Sequence, residues 1–438
     1  MINFAEYNSL NIYYMEKGRI KKVSIHKLWG VKNIKVDFDN NVNIFIGANG
    51  TSKTTFLNLI EATLLCDLQT LYNIEFSKIE IELNTDYNLT TIIVEKLHDI
   101  QSYRQCFYYN IMGEIYEIFY DSDYRSFSRR VSNSYGEYKI VKDKLSKLLN
   151  ISWLSINRDD SFDYEYYHRR EYDDRLINSV DKKIEELAKE LIGYKLQLEA
   201  EVSKSVDLFK KESLLLMLYD SSEDNLNALH NKCYDQKQIN KLKVDLYKVF
   251  SILGIESSNG RIQQHISKIN ELIGKEKLTL DEALVLPLMR RAFSMLDIFK
   301  RYEEEKDEIL MPLNNFWKCL KEFMVDKEFS VDTENGEIKI ELKEGDINNK
   351  FIDVKSLSSG EKQLFILLAE TLLQKESTHL FIADEPELSL HIGWQRIILK
   401  KILELNPNAQ IVVATHSPEI ASEFPENIIN MKRITLYE

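Results

Sequence analysis

The chain alternates between two hydrophobic periods. From Lys21 to Phe45 apolar and polar residues alternate, as in Val23-Ser24-Ile25-His26-Lys27-Leu28 and Ile34-Lys35-Val36-Asp37-Phe38, which is the period of half-buried strands. This predicts two antiparallel strands feeding a third, Asn43 to Ile46, and then a helix from Lys53 to Leu65. Further strands are predicted at Lys78 to Leu83, Thr91 to Leu97 and Cys106 to Tyr120, the last folded into a hairpin at Gly113 and Glu114. Asp121 to Tyr138, polar and rich in Ser, Arg and Tyr, reads as a loop, and Ile151 to Arg158 as a buried strand.

From Leu176 the period changes. Val180, Ile184, Leu187, Leu191, Tyr194, Leu198, Val202, Val206 and Phe209 recur three or four apart among Glu and Lys, the pattern of a long amphipathic helix with partial heptad character. After a polar break at Ser221 to Asn231, helical stretches carry Ile239 to Leu253, Ile262 to Leu272 and Leu280 to Met324, the last interrupted by Pro287 and Pro312. A hairpin arm with helices of about 40 residues would reach roughly 60 Å. Past Phe329 strands return, Phe329 to Thr333 and Glu337 to Leu342, joined by Asn335-Gly336. The expected organisation is an α/β head from residues 1–175 and 329–438, with a mixed sheet core and an antiparallel β layer, interrupted by an α-helical insertion at 176–328.

At 438 residues and 44% hydrophobic content the chain can bury a core. A net charge of −13 argues against a surface broadly adapted to nucleic acid. Cys66, Cys106, Cys233 and Cys319 form no CxxC pair, so buried free thiols are expected rather than zinc or disulfides. The N-terminal residues lack a basic then apolar leader, and no apolar run approaches the roughly 18 residues of a membrane span. A cytoplasmic location and no membrane partner are expected.

The candidate chemistry begins at Ile44-Phe45-Ile46-Gly47-Ala48-Asn49-Gly50-Thr51-Ser52-Lys53-Thr54-Thr55, a strand running through a glycine-bearing turn into a helix. Backbone N–H groups at such a helix start cradle phosphates, with Lys53 as the only positive charge of the cradle and the Thr54 hydroxyl available to Mg²⁺. Ser52 stands where the pattern wants glycine, and its Cβ is expected to be tolerated only at negative φ. Ser356-Leu357-Ser358-Ser359-Gly360-Glu361 opens a second helix, Glu361 to Leu373; it is either an ordinary N-cap or an anion site. Thr378 to Glu387 reads as a strand ending in acids, with Asp384 placed to hold the Mg²⁺ shell and Glu385 to orient an attacking water. Gln410 to Pro418 is another buried strand, ending in His416, either structural or a sensor of the γ-phosphate. Trp29 either stacks on an adenine or closes a hairpin. Arg158 either reaches the nucleotide or makes an ion pair. The charged, tyrosine-rich stretch 159–175 either stacks on nucleic acid or is a solvated loop.

The ordered set of phosphate loop, Leu357-Ser358-Ser359-Gly360-Glu361-Lys362-Gln363, Phe381-Ile382-Ala383-Asp384-Glu385-Pro386-Glu387 and Ala414-Thr415-His416-Ser417 resembles an ATP-binding-cassette ATPase. Within that superfamily it resembles the soluble SMC and repair-type branch, and more closely the OLD-like ATPases of anti-phage systems such as PARIS and Septu. The likeness covers about Lys21 to Leu65 and Val354 to Ile429. It implies that Gly47, Asn49, Gly50, Thr51, Ser52, Lys53, Thr54 and Thr55 bind ATP, and that Thr54 and Asp384 hold Mg²⁺. Glu385 would be the catalytic base and His416 the switch. Ser358, Ser359 and Gly360 would contact the γ-phosphate of a second subunit, and Glu387 to His391 would be the segment that crosses between subunits. The Mg²⁺-contacting glutamine is one of Gln69, Gln101 and Gln105.

The function expected from this resemblance is an ATPase that oligomerises through composite sites and controls a partner effector, such as a Toprim or HNH nuclease, in response to a phage-derived trigger. About twenty residues follow His416, too few for a Toprim domain, and with Asp384 and Glu385 committed to one Mg²⁺ no second cluster of Asp, Glu and His with two-metal spacing is visible, so the chain itself is expected to cut no nucleic acid. The alternative is an SMC-like DNA-repair or chromosome-maintenance ATPase. A transporter subunit is disfavoured by the long helical insertion.

Overall fold

The computed structural model describes residues 17–85, 88–98, 105–120, 129–154, 179–216, 218, 236–255, 259–272, 279, 282, 285–331, 337–343, 350–388 and 390–437. Expectations for Gln101, Arg158, the 159–175 stretch, the 221–231 break, Cys233 and the Asn335-Gly336 turn lie outside the described residues. The chain forms two compact units, Met1–Leu191 with Phe316–Glu438, and Ile192–Asn315.

The first unit is built on three sheets. Strands β1 (Arg19–Leu28), β2 (Lys32–Asp37), β4 (Lys78–Thr85), β5 (Asn88–His98), β6 (Gln105–Ile111), β7 (Glu114–Tyr120) and β15 (Thr435–Tyr437) make an antiparallel layer in the order β15-β2-β1-β4-β5-β6-β7. Its alternation is the one read from the sequence: Val23 and Ile25 face inward, as do Ile34 and Val36 opposite them. The second sheet is parallel, in the order β14-β3-β13-β12-β8, from β3 (Val42–Ile46), β8 (Ile151–Leu154), β12 (His379–Asp384), β13 (Ala409–Ala414) and β14 (Ile428–Asn430). All six residues of β13 are buried, as a central strand covered on both faces requires. A third sheet is β11-β10-β9, antiparallel, with β9 at Lys327–Val331, β10 at Ile338–Leu342 and β11 at Lys350–Asp353.

Helix α1 (Lys53–Leu65) shares one hydrophobic core with both larger sheets. Phe56 meets Phe45 of β3 with ring centroids 5.1 Å apart, while Leu57, Ile60 and Leu64 join Ile79, Ile81 and Val94 of the antiparallel layer in that core. The start of α1 is thereby fixed against the strand that precedes it. Helix α2 (Leu68–Asn73) follows, capped by Asp67, which accepts from the N–H groups of Gln69 and Thr70.

Two expectations fail here. Residues 129–138 were expected as loop, but helix α3 spans Arg129–Leu148. Val141 and Leu145 within it, and Leu149 just beyond, are buried four residues apart, and this stripe outweighs the polar composition of its first half. The fourth helical stretch was expected to break at Pro287 and Pro312, yet one helix runs from Val285 to Phe323. Pro287 lies in its first turn, where the missing N–H has no intrahelical acceptor to lose. Pro312 removes one interior hydrogen bond, beside Leu313 and Phe316, both buried.

In the second unit, parts of α4 (Ser179–Leu215) and α7 (Val285–Phe323) pack with α5 (Gln236–Ile252) and α6 (Asn259–Leu272). Its core gathers Phe209, Val249, Ile269, Phe299 and Tyr302. Among the described residues, no helix is long and apolar enough to cross a membrane.

His379, at the start of β12, meets the Ser152 hydroxyl at 2.7 Å, and burial lowers its pKa to about 4. As pH falls from 6.5 towards 4, the unfolded chain gains a proton that the folded chain refuses, so stability is lost across that window. The His379→Gln variant should lose less stability than the wild type between pH 7 and pH 5, by roughly 1–2 kcal/mol in urea denaturation. Parallel stability-versus-pH curves would refute this assignment.

Candidate phosphate-binding site

Strand β3 delivers the phosphate loop from a fully apolar setting, with Val42, Ile44 and Phe45 buried. The chain turns tightly at once. A Cβ on Gly47 would lie 2.6 Å from Thr51 Oγ1, so only glycine fits there, and Thr51 donates from both N and Oγ1 to the Ala48 carbonyl at 3.2 and 2.8 Å. Ser52 then adopts φ 68°, ψ 27°. This overturns the expectation of a negative φ. The left-handed residue turns the chain into the first turn of α1, at a cost of roughly 1–2 kcal/mol for a residue bearing a Cβ. Its carbonyl accepts from Phe56 N at 2.9 Å and its Oγ from Lys32 Nζ at 3.0 Å. Lys53 is therefore not the only ammonium at the loop. Lys32 looked like an ordinary polar position in the alternation of β2, and only the three-dimensional pairing brings it here.

The other candidate residues arrive on neighbouring strands. Asp384, last of β12, stands opposite Ala414, last of β13, and Ala414 opposite Phe45 of β3. Glu385 N continues that ladder to Ala414 O at 2.8 Å, and Thr415 N reaches Phe45 O at 3.1 Å. Three parallel strands thus end together, where open α/β sheets place ligands. Lys53, buried, donates to Gly47 O at 2.8 Å and meets His416 Nε2 at 2.8 Å; His416 Nε2 is 3.8 Å from Glu385 Oε1. Burial pushes the Lys53 ammonium below its usual range, and Glu385, Asp384 and Glu387 pull it back up. A charged lysine offers donors only, so His416 accepts at Nε2 and carries its proton on Nδ1. Glu385 holds φ 49°, a left-handed conformation costly for glutamate and typical of functional positions.

Glu387, read from the sequence as the start of the segment that crosses between subunits, makes contacts that the sequence reading did not foresee. Its Oε1 accepts from Thr415 Oγ1 at 2.7 Å, His416 N at 2.8 Å and Ser417 N at 3.1 Å. Ser417 Oγ in turn donates to Gln395 Oε1 at 2.7 Å, and Gln395 Nε2 to Leu390 O at 2.9 Å. One carboxylate thus holds the histidine loop in place. The repeated acid of Asp384-Glu385-Pro386-Glu387 was the available signal. Within the segment expected to cross between subunits, His391 caps α9 (Ile392–Leu405) by accepting from Gly393 N at 3.2 Å, and Ser389 lies outside the described residues.

The Ser358-Ser359-Gly360 turn opens α8 (Ser359–Leu373). Ser358 donates from N and from Oγ to Glu361 Oε2, both at 2.9 Å, and Glu361 pairs with Lys327 at 2.8 Å. Among the described residues no hydrogen bond joins this turn to the phosphate loop; the link from its helix is Gln363 Nε2 to Pro386 O at 3.4 Å. Of the glutamine candidates, Gln69 sits in the first turn of α2 and Gln105 is buried in β6. Trp29 is 45% exposed in the turn between β1 and β2. A cavity of about 390 Å³ adjoins the loop, lined by Gly47, His416, Ser417 and Ile428 among others. Thr54 is exposed at the first turn of α1, and its hydroxyl with the Asp384 carboxylate makes a set of hard oxygen donors of the kind that Mg²⁺ takes.

Residues 19–421 match a family model described as an AAA ATPase domain. The chain belongs to that family. An 86-residue stretch is 36% identical to the Retron Ec83 probable ATPase of Escherichia coli, covering 17% of this chain and 16% of that protein. The DNA replication and repair protein RecF of Rickettsia massiliae (strain Mtu5) is 23% identical over 212 residues, 48% of this AAA ATPase domain chain and 52% of RecF. The chain thus spans about half the length of that relative, and far less of the retron protein. A solved Smc head domain with an extended coiled coil, bound to the C-terminal domain of ScpA and derived from Pyrococcus furiosus, aligns over 94% of this chain and 93% of its own at 14% identity, with a TM-score of 0.43.

Removing the Glu387 carboxylate leaves three donors around the histidine loop without their acceptor. The Glu387→Ala variant should lose about 2–3 kcal/mol in denaturant unfolding. Amide exchange at His416 and Ser417 should accelerate at least tenfold, whereas unchanged exchange would show that the loop is held by other means.

Proposed function

We propose that this AAA ATPase domain protein binds ATP with Mg²⁺, hydrolyses it, and couples the cycle to assembly with further copies of itself and to a partner effector. The observation that carries the reading is the meeting of Lys53, His416 and Glu385 at the ends of neighbouring parallel strands. An incoming γ-phosphate gives the Lys53 ammonium a better partner than a histidine nitrogen, so Lys53 leaves His416 and the imidazole is released to report the phosphate. Thr54 and Asp384 would hold the Mg²⁺, which when bound neutralises charge on the phosphate oxygens. Glu385 would position a water and take its proton. Ser358, Ser359 and Gly360, two exposed serines and a glycine at a helix start, would meet the γ-phosphate held by another subunit.

The output we favour is control of a nuclease such as a Toprim or HNH protein in anti-phage defence. It is supported by the form of the motifs, which resembles that of OLD-like ATPases, and by the stretch shared with the retron ATPase. The second reading, a DNA-repair ATPase, draws on the longer alignment with RecF.

The Lys53→Ala variant should bind ATP at least 100-fold more weakly by titration calorimetry while melting like the wild type. Near wild-type affinity would refute the phosphate-loop assignment. Glu385→Gln should retain ATP, hydrolyse it at least 100-fold more slowly, and accumulate as an ATP-dependent oligomer in light scattering; a monomer with and without ATP would rule out the composite site. ATP-dependent DNA binding by this variant, with no nuclease recovered alongside the protein from its host, would favour the RecF-like reading.

A further inference from the structure

The seven-stranded sheet ends, on the side that carries Lys32, in β15, and Tyr437 of β15 stands opposite Lys32. Tyr437 is 72% exposed. A single exposed aromatic is ordinary, but this one is tied to the phosphate loop through a shared lysine. Lys32 Nζ lies 6.0 Å from the centre of the Tyr437 ring and 3.0 Å from Ser52 Oγ. One ammonium therefore touches the loop on one side and an open π-face on the other, which puts ring and loop within the length of a single nucleotide.

The backbone under the ring is fastened to the same strand that bears the loop. β14 runs parallel to β3, with Asn430 opposite Ile46, the residue before Gly47. Asn430 Oδ1 accepts from Lys432 N at 3.0 Å and opens the short helix Met431–Ile434. Met431 is fully buried, and Thr435 Oγ1 donates to its carbonyl at 2.7 Å. The ring is solvated, but the segment that carries it is held from below.

We propose that Tyr437 is the stacking platform for the base of the nucleotide whose phosphates the 47–55 loop holds, with Lys32 bridging the stretch between base and loop. The inference rests on the nucleotide reading above and deepens it. The ligand class is a nucleoside triphosphate, because a base stacks on an open aromatic face while its phosphates reach the loop. Trp29, exposed in the turn between β1 and β2, makes no such contact with the loop among the described residues.

The test compares ATP with inorganic tripolyphosphate, both with Mg²⁺, by titration calorimetry on the full chain. Tyr437→Ala should weaken ATP roughly 5- to 100-fold and leave tripolyphosphate unchanged. Tyr437→Phe, which keeps the π-face, should bind ATP within about twofold of the wild type, and Trp29→Ala likewise. The inference is overturned if Tyr437→Ala binds ATP as the wild type does, if it loses both ligands equally, or if the selective loss appears in Trp29→Ala instead. A wild-type protein that binds neither ligand would sink the nucleotide reading itself and this inference with it, whereas an intact affinity for tripolyphosphate separates the two failures.

Discussion

A buried ammonium must have acceptors, and the site is arranged round that requirement. Lys53 is enclosed at the foot of α1 and is satisfied by Gly47 O and His416 Nε2. Neither acceptor is negatively charged, so the lysine is solvated adequately without being neutralised, while three carboxylates act on it from farther away. This leaves a cation that is held by its contacts but not neutralised by them. The parallel register of β3, β13 and β12 matters because it sets loop, histidine and acids at one level.

A second set of polar contacts holds the histidine loop itself. Glu387 collects three donors from Thr415, His416 and Ser417, and Gln395 ties Ser417 to the segment before α9. Ser52, just before Lys53, and Glu385, just after Asp384, are both left-handed. Each is fixed by backbone hydrogen bonds, Ser52 O to Phe56 N and Glu385 N to Ala414 O, so the strain is sustained by the ladders around it.

Much of this was legible in the chain. The period-two stretches located β1, β2, β4 and β5, and the apolar runs before Gly47, Glu385 and Thr415 located the strands that build the site, because burial on both faces leaves little choice of residue. What was not legible depends on pairing between distant segments. Lys32 and Tyr437 became neighbours only through the β2–β15 ladder. Ser52 was misread because its backbone obeys the curl of the loop rather than its own preference. Residues 129–138 were misread because a polar composition hid a helix anchored farther along, by Val141 and Leu145.

The parallel sheet is assembled out of chain order. Strand β3 lies between β13 and β14, both of which follow it by more than three hundred and fifty residues. During synthesis the phosphate-loop strand therefore waits with both edges open while the whole 192–315 unit is made. Loop closure over that distance must precede any pairing of its edges. The strand ends that carry the loop, the acids and the histidine are thus brought to one level only after β12, β13 and β14 have been made, and until then the loop stands without the groups that face it.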